Sequence, residues 1–229
     1  MGNWLLDKEF RNMKKSIKLI VICILLIHNY SAVLAQNKFE GGPIIGFGVS
    51  SFHGSNNQDF SLHDHIGFLL NYKFKDKLIL QTSVLHSTKG YTHDLLFPYE
   101  KVKLRYIDLI ENFIYQPAKT FYIGGGIYTG WLYRSKYRHL VYSDYFYDSN
   151  ISGIVHKFDF GLNGSIGIQF ENGIEFEISF LYGLQNVFKA SSSNALYNGN
   201  GITYGIPPEA KGKNTVISTS FCYLFGSKH

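Results

Sequence analysis

The stretch from Phe158 to Phe170, FDFGLNGSIGIQF, decides the fold because its residues alternate in character. One set of alternate positions is mainly apolar and contains Phe158, Phe160, Leu162, Ile166, Ile168 and Phe170. The intervening positions are small or polar and hold Asp159, Gly161, Asn163, Ser165, Gly167 and Gln169. A period of two residues is typical of a β-strand with one apolar and one polar face. The stretch therefore predicts a strand.

The same alternation recurs along the chain. Glu171-Asn172-Gly173 is a hairpin turn of the Asn-Gly kind, and it leads into a second alternating run from Ile174 to Tyr182. Six further runs lie at 45–50, 66–74, 78–84, 101–115, 121–134 and 214–225. Glu111 interrupts the apolar face of the fourth run, which leaves a bulge or a shifted register open there. We expect eight strands in all.

The connections between these strands alternate in length. The short ones are 75–77, 116–120 and 171–173. The long ones are 53–64, 87–100, 135–153 and 188–212. An even number of strands with short turns at one end and long loops at the other is typical of a transmembrane β-barrel. In lipid the sheet must also close on itself, because every backbone polar group needs an internal partner. The predicted fold is therefore an all-β, eight-stranded antiparallel transmembrane barrel of the up-and-down type.

A secreted, soluble, lipocalin-like barrel is the competing interpretation. In such a barrel the polarity is inverted, with apolar residues inside and polar residues facing water. Alternation alone does not distinguish the two. The glycine-rich face suits a crowded, narrow interior, and the aromatic residues near the ends of the apolar face suit an interfacial girdle. Both features favour the membrane form.

The composition excludes several other classes of protein. The chain has 229 residues, of which 45% are hydrophobic, 17% aromatic and only 17% charged, with a formal charge of +5. Disordered chains lack aromatic residues, and two cysteines do not make a disulfide scaffold. No Cys/His spacing suggests zinc, and Gly124-Gly125-Gly126 lies within a strand rather than before a helix. We therefore predict no metal and no cofactor.

The N-terminal residues have the three-part order of a secretory signal peptide. A basic run from Met13 to Lys18 precedes the apolar run Leu19–Ile27, and small residues follow at Ser31–Ala35. A membrane anchor would need about 20 apolar residues. We predict a cleaved signal peptide at residues 1–35, with Met13 a better start than Met1, and a barrel domain at 36–229. The predicted location is the cell outer membrane.

Several motifs resemble strands of the PorT-like or OmpX-like outer-membrane β-barrel family of Gram-negative bacteria, often labelled a porin family. They are Leu80–Gly90, Arg105–Leu109, Gly125–Tyr128, Phe158–Gly164 and Tyr182–Val187. Their order along the chain carries the resemblance, which covers most of 40–226. The family is functionally diverse, and the resemblance adds an accessory role in protein secretion to the candidate functions.

The last strand resembles the signal by which assembly machinery recognises outer-membrane barrels. Ser218–Phe225 fits the pattern polar-x-Gly-x-x-aromatic-x-aromatic, with Ser220 in the glycine position. The resemblance implies that the assembly machinery of the outer membrane is a partner, together with the lipid bilayer and lipopolysaccharide. No nucleic-acid partner is expected.

Charged residues on the polar face predict a network inside the barrel. They are Lys73, Arg134, Asp159, Glu175 and Glu177. Opposite charges in a narrow interior should pair, because unpaired buried charge is costly. The first hypothesis is a barrel held shut by this network, with a structural or interaction role. The second is a narrow channel or transporter.

The third long loop is rich in aromatic and basic residues. Its binding candidates are Tyr137, Arg138, Tyr142, Tyr145 and Tyr147. Tyr and Arg dominate recognition hot spots, so this loop is a candidate surface for a protein, a glycan or lipopolysaccharide. The alternative is a strand extended beyond the membrane with interfacial aromatic residues.

A lipid A-modifying enzyme is the third hypothesis. Such an enzyme needs a nucleophile and a base near the outer interface of the membrane. His86-Ser87 and His53-Gly54-Ser55 lie near predicted strand ends. No carboxylate is placed to complete a triad. We therefore predict that the protein is not an enzyme.

Overall fold

The computed structural model describes residues 38–54, 59–93, 100–142, 145–189, 196–197, 203–204 and 212–226. The predicted signal peptide at 1–35 and the candidate Ser55 lie outside these residues. The strands are β1 Phe39–His53, β2 Asp59–Lys75, β3 Leu78–His93, β4 Glu100–Tyr115, β5 Phe121–Tyr142, β6 Tyr145–Ser149, β7 Phe158–Gln169, β8 Ile174–Asn186, β9 Leu196–Tyr197, β10 Thr203–Tyr204 and β11 Lys213–Tyr223. No helix among the residues described is long and apolar enough to cross a membrane.

Eight of these strands close into an antiparallel barrel: β1, β2, β3, β4, β5, β7, β8 and β11. Each pairs with its neighbours along the chain, and β1 closes the ring by pairing with β11 from Ile44↔Cys222 to His53↔Lys213. Closure leaves the barrel without an edge strand. The predicted eight-stranded up-and-down barrel is confirmed.

The strands extend further towards the long-loop end than their alternation predicted. β3 continues to His93, and β5 has 22 residues, about 70 Å of extended chain. A membrane crossing needs about 9–11 residues. β6 folds back on the far end of β5, with Tyr137 opposite Ser149. Much of the predicted loops 87–100 and 135–153 is therefore strand, and the β5–β6 hairpin rises beyond the barrel.

A bulge in β5 reverses which residues face the interior. Arg105 of β4 pairs with Arg134, whereas the next residue, Tyr106, pairs with Leu132. Tyr133 is the extra residue, so Tyr133 and Arg134 are both exposed. A bulge of this kind shifts the alternation by one residue. Arg134 therefore lies on the outer face, which corrects its predicted place in the lumen.

No bulge occurs at Glu111, although its position in an apolar face left one open. The pairing of β3 with β4 is unbroken from Leu78↔Tyr115 to His93↔Glu100. Glu111 lies on the outer face, where its carboxylate accepts a hydrogen bond of 2.8 Å from the Thr82 hydroxyl. A neighbouring side chain thus partners the carboxylate without a change of register.

The outer wall of the barrel is apolar. Phe68 is 70% exposed and Phe113 is 68% exposed, and similar residues surround the barrel. Polar side chains such as Asn163 and Glu175 are buried inside. This polarity is the reverse of a lipocalin-like barrel in water, and an apolar surface of this extent is typical of contact with lipid.

An apolar cluster fills the interior at the long-loop end, where we expected polar residues. It contains Phe52, Tyr91, Val102, Leu104, Tyr106, Leu132, Tyr137, Ile151, Val155, Val187 and Phe188. We call this cluster the apolar cap. Ile151 and Val155 follow β6, and a bridge from Val155 to Phe188 holds this segment in place. The cap therefore covers the polar interior.

Candidate functional site

Lys89 lies in the interior of the barrel, and its side chain is 0% exposed. Its ammonium group is 3.0 Å from Asp108 Oδ1 and 3.3 Å from Asp159 Oδ2. The same nitrogen lies 4.8 Å from the centre of the Tyr106 ring and 4.4 Å from that of Tyr128. Two carboxylates and two aromatic faces thus replace the water that a lysine loses on burial. Sequence reasoning missed Lys89, because it lies in the part of β3 predicted as loop.

The two aspartates have further donors. Asp108 Oδ2 accepts a 2.6 Å hydrogen bond from the Ser87 hydroxyl. Asp159 Oδ2 accepts bonds from the Tyr128 hydroxyl at 3.1 Å and from the Asn214 amide at 2.8 Å. Buried carboxylates are stable only when they are well hydrogen-bonded. These contacts therefore stabilise the cluster, which links β3, β4 and β7 across the interior.

A second polar cluster lies near the short-turn end. Lys73 donates to Glu40 Oε1 at 2.5 Å, and its side chain is 25% exposed. Farther inside, the Tyr122 hydroxyl lies 2.8 Å from Glu175 Oε1 and 3.1 Å from Glu177 Oε2. The predicted network therefore forms two clusters. Asp159 belongs to the Lys89 cluster, and Lys73, Glu175 and Glu177 belong to this second one.

Two buried histidines of β2 form a hydrogen-bonded chain. His63 Nδ1 is 2.6 Å from the Thr88 carbonyl oxygen, so this nitrogen must carry the hydrogen. His63 Nε2 then accepts from His65 Nδ1 at 3.0 Å, and His65 Nε2 accepts from the Ser220 hydroxyl at 2.9 Å. Each ring is thereby fixed as a neutral tautomer. His63 falls within the predicted loop 53–64, so sequence reasoning missed this hydrogen-bonded chain.

The open space beside these histidines is small. A cavity of about 20 Å³ is lined by polar residues of several strands, among them His65, Asn112, Asn163 and Ser220. This volume holds about one water molecule. The interior at this level is therefore packed.

His86 and Ser87 do not come together as a catalytic pair. Successive residues of a strand point to opposite faces. His86 lies on the outer face, where Nε2 contacts the Tyr133 hydroxyl, whereas Ser87 is buried and donates to Asp108. The hypothesis that they form a nucleophile and its base therefore loses its geometric support.

The binding candidates of the third long loop are divided between the interior and the surface. Tyr137 is only 2% exposed and belongs to the apolar cap, because the bulge at Tyr133 turns it inward. This corrects its assignment to the surface. Arg138 is exposed. The backbones of Tyr142, Tyr145 and Tyr147 belong to β5 and β6, but their side chains lie outside what the structure describes.

Arg138 forms an ion pair with β6. Its Nε donates to Asp148 Oδ1 at 2.7 Å, and its Nη2 donates to Oδ2 at 3.1 Å. This bidentate contact holds the pKa of Asp148 below its ordinary value. The pair joins the two strands of the hairpin beyond the barrel.

Among the residues that the structure describes, six cations line one outer groove on β4 and β5, and Asp148 is the carboxylate beside them. They form three cross-strand pairs, which are Lys101↔Arg138, Lys103↔Lys136 and Arg105↔Arg134. We call these six residues the basic ladder. The groove has a volume of about 280 Å³. Only Arg138 was among the predicted binding residues. Lys101, Lys103 and Arg105 were visible as alternating cations, but pairing them with β5 required the register.

Comparison with known proteins gives a family match and several similar structures. The family model described as an outer membrane protein beta-barrel domain matches residues 34–189. The structure of Ail, the attachment invasion locus protein of Yersinia pestis, in complex with the heparin analogue sucrose octasulfate, is 12% identical over 82% of this chain and 99% of Ail, with a TM-score of 0.44.

Two proteins of Pseudomonas aeruginosa are also similar. The N-terminal beta-barrel domain of OprF is 14% identical, with 81% of this chain and 97% of that domain covered and a TM-score of 0.33. The outer membrane protein OprG is 12% identical, with 82% and 94% covered and a TM-score of 0.36. No curated protein matches the chain.

Proposed function

The chain belongs to the outer membrane protein beta-barrel domain family, and from this premise we propose that it is a closed outer-membrane barrel with a structural or interaction role. Its activity would reside on the surface at the long-loop end rather than in passage through the lumen. The observation that carries this proposal is the packed interior.

Two layers of side chains support closure. The Lys89 cluster spans the interior from β3 to β4 and β7 through ion pairs at 3.0 and 3.3 Å. The apolar cap covers it on the long-loop side, with Val102, Leu104 and Val155 all 0% exposed. Eight strands leave an interior just wide enough for side chains. A hydrated path would have to break the Lys89 ion pairs and also open the cap.

Conductance across a planar bilayer tests this proposal. We expect the folded protein, checked by heat-modifiable gel mobility, to give no steady current above that of the bare bilayer. Regular ohmic steps from folded protein would contradict the closed barrel and favour the narrow channel. A porin with 16 strands, which holds an aqueous channel, serves as the positive control for insertion.

Export and cleavage of residues 1–35 are part of the proposal. The basic, apolar and small-residue segments of the N-terminus support it. Expression of the full chain in a Gram-negative host should yield a membrane-bound product that begins at Gln36, as measured by intact mass and N-terminal peptide mapping. A product that retains residues 1–35, or one recovered from the periplasm in soluble form, would contradict it.

We also propose that the last strand is read by the assembly machinery. Phe221, Tyr223 and Phe225 are exposed on the outer face, where another protein can contact them before insertion. Replacing Phe225 with Ala should lower the amount of heat-modifiable barrel in the outer membrane, whereas Phe47→Ala on β1 should not. Equal amounts of folded barrel from the two variants would contradict this role.

The resemblance to the PorT-like family is the sole support for an accessory role in protein secretion. In that role the loop-end surface would contact a secretion component. Deletion of the gene should then lower the amount of secreted protein without changing the permeability of the outer membrane to small solutes. Unchanged secretion would remove this role and leave the structural one.

A further inference from the structure

We propose that the basic ladder binds the phosphate groups of lipopolysaccharide, the phosphorylated glycolipid of the outer leaflet, at the outer wall of the barrel. The inference rests on the proposed function in one respect, since it takes the long-loop end to be the outer end. Short turns facing the periplasm and long loops facing outward are general for such barrels.

The charge of the groove calls for an anion. All three rungs of the ladder place two cations directly opposite each other on neighbouring strands, an arrangement that is destabilising by itself. Asp148 contacts Arg138 at 2.7 Å and Lys136 at 3.7 Å. It offsets one charge, so the described residues that line the groove, six cations and one carboxylate, carry a formal charge of 6 − 1 = +5. Phosphate oxygens accept hydrogen bonds from both arginine and lysine.

The dimensions of the ladder suit more than one phosphate group. Same-face residues of a strand are about 7 Å apart, and neighbouring strands are about 5 Å apart. Three rungs therefore cover a strip of about 14 Å by 5 Å. The groove volume of about 280 Å³ also exceeds what a single inorganic phosphate fills, which points to a larger ligand with several anionic groups.

The position of the ladder selects a lipid over a soluble anion. On β4 the outer face changes from Arg105 to Ile107 within two residues, and Ile107 pairs with Trp131 of β5. Trp131 is 54% exposed, and Ile107 is 40% exposed. The cations thus lie directly above the apolar wall, with an aromatic residue at the boundary, which is the arrangement expected at the headgroup level of a bilayer. A lipid can satisfy both regions, whereas a soluble polyanion can use only the cations.

Binding in zwitterionic micelles tests the proposal. The probe is purified rough-type lipopolysaccharide titrated into the refolded full chain, with backbone amide shifts at 101–105 and 134–138 as the local readout. The ladder variant combines Lys101→Gln, Lys103→Gln and Lys136→Gln. We expect its affinity to fall at least about tenfold, since cations near an anionic surface each contribute to binding.

A matched control removes the same charge from the opposite end. Lys75, Lys77 and Lys119 are exposed at the short-turn end, and their triple replacement by Gln should leave binding within about twofold of the unchanged chain, because the groove is untouched. An equal loss in both triple variants would overturn the proposal, because net charge alone would then explain binding. Equal binding by the ladder variant and the unchanged chain would also overturn it.

Two further sets of ligands test whether the phosphate groups are recognised and whether they must belong to a lipid. Enzymatically dephosphorylated lipopolysaccharide should bind much more weakly than the intact glycolipid. Inorganic pyrophosphate and a sulfated polysaccharide should compete only at far higher concentration. Equal binding of the dephosphorylated glycolipid would overturn the role of phosphate, and equally tight binding of a soluble polyanion would overturn the choice of a lipid.

Two further measurements distinguish a loss of binding from a folding defect: the stability of the ladder variant, and the binding of a variant that should bind more tightly. Without lipopolysaccharide, the ladder variant should unfold at the same or a higher urea concentration, because it removes like-charge contacts. Asp148→Asn should strengthen binding by raising the charge of the groove, and weaker binding would count against the proposal. The conductance test is independent of this binding test. A barrel that conducts ions and also binds lipopolysaccharide at the ladder would contradict only the proposed closure.

Discussion

Lys89 and Asp108 form an ion pair of 3.0 Å inside the barrel, where their side chains are 0% and 1% exposed. The two residues lie on neighbouring strands, and a second bond from Lys89 to Asp159 on β7 spans the interior. Because eight strands enclose a space only as wide as side chains, one lysine is able to bridge this distance. In the closed barrel that we propose, this ion pair would be the main obstacle to passage through the lumen.

Removing Lys89 should strongly destabilise the barrel. In Lys89→Met the two aspartates keep only their hydrogen bonds from Ser87, Tyr128 and Asn214 and lose the cation between them. Breaking a buried ion pair costs about 3–5 kcal/mol. Urea unfolding in lipid vesicles, followed by heat-modifiable mobility, measures the loss. The triple variant Lys89→Met, Asp108→Asn, Asp159→Asn should recover much of it. Equal stability of Lys89→Met and the unchanged chain would contradict this account of the Lys89 cluster.

Replacing Tyr137 should affect stability, whereas replacing its neighbour Arg138 should not. Tyr137 lies in the apolar cap at 2% exposure, and truncating a large buried aromatic residue to Ala costs about 3–5 kcal/mol. Arg138→Ala removes an exposed ion pair, which costs at most about 1 kcal/mol. Urea unfolding of the two variants in parallel checks the difference. Similar losses would mean that Tyr137 is not part of the core.

The sequence predicted the barrel well because a two-residue period holds through most of each strand. It did not predict the strand ends, where the outer face changes from apolar to charged and the interior from polar to apolar. Lys89 and His63 lie in these parts, within the predicted loops 87–100 and 53–64. Arg134 was assigned to the wrong face because the extra residue at Tyr133 shifts the alternation, and only the pairing of β4 with β5 reveals that shift. The ladder was missed for the same reason.

Nuclear magnetic resonance should find both His63 and His65 neutral with the hydrogen on Nδ1. His63 Nδ1 lies 2.6 Å from a carbonyl oxygen, which can only accept a hydrogen bond. This nitrogen must therefore be the donor, and that fixes the donor and acceptor roles of His65 and Ser220 in turn. Long-range ¹⁵N spectra of the imidazoles distinguish the tautomers. In Ser220→Ala, His65 Nε2 loses its donor at 2.9 Å, and the buried unpaired acceptor should cost about 1–3 kcal/mol. A hydrogen on Nε2 of His63 would contradict this hydrogen-bonding arrangement of the two histidines.

A methyl group should not be tolerated at Gly126 but should be tolerated at Gly164. A Cβ atom at Gly126 would lie 1.9 Å from the Glu111 carbonyl oxygen of the paired strand, whereas one at Gly164 would have nothing within 4 Å. The backbone of a closed barrel cannot move to make room without losing hydrogen bonds between its strands. Gly126→Ala should therefore lower the yield of folded barrel sharply, and Gly164→Ala should leave it unchanged. Equal yields would show that the contact between β4 and β5 is looser than the structure has it.

The pKa of Asp148 should be lower in the folded barrel than in the unfolded chain, because the Arg138 guanidinium donates two hydrogen bonds to its carboxylate. A lowered folded pKa means that the pair stabilises the hairpin above the unfolded value of about 3.9, and that this contribution is lost as the pH falls through the folded pKa. Carboxyl titration by nuclear magnetic resonance measures it. Arg138→Gln should return the pKa towards its ordinary range, whereas Lys119→Gln at the short-turn end should not change it. An Asp148 that titrates at its ordinary value in the unchanged chain would mean that β6 does not pair with β5 through this contact.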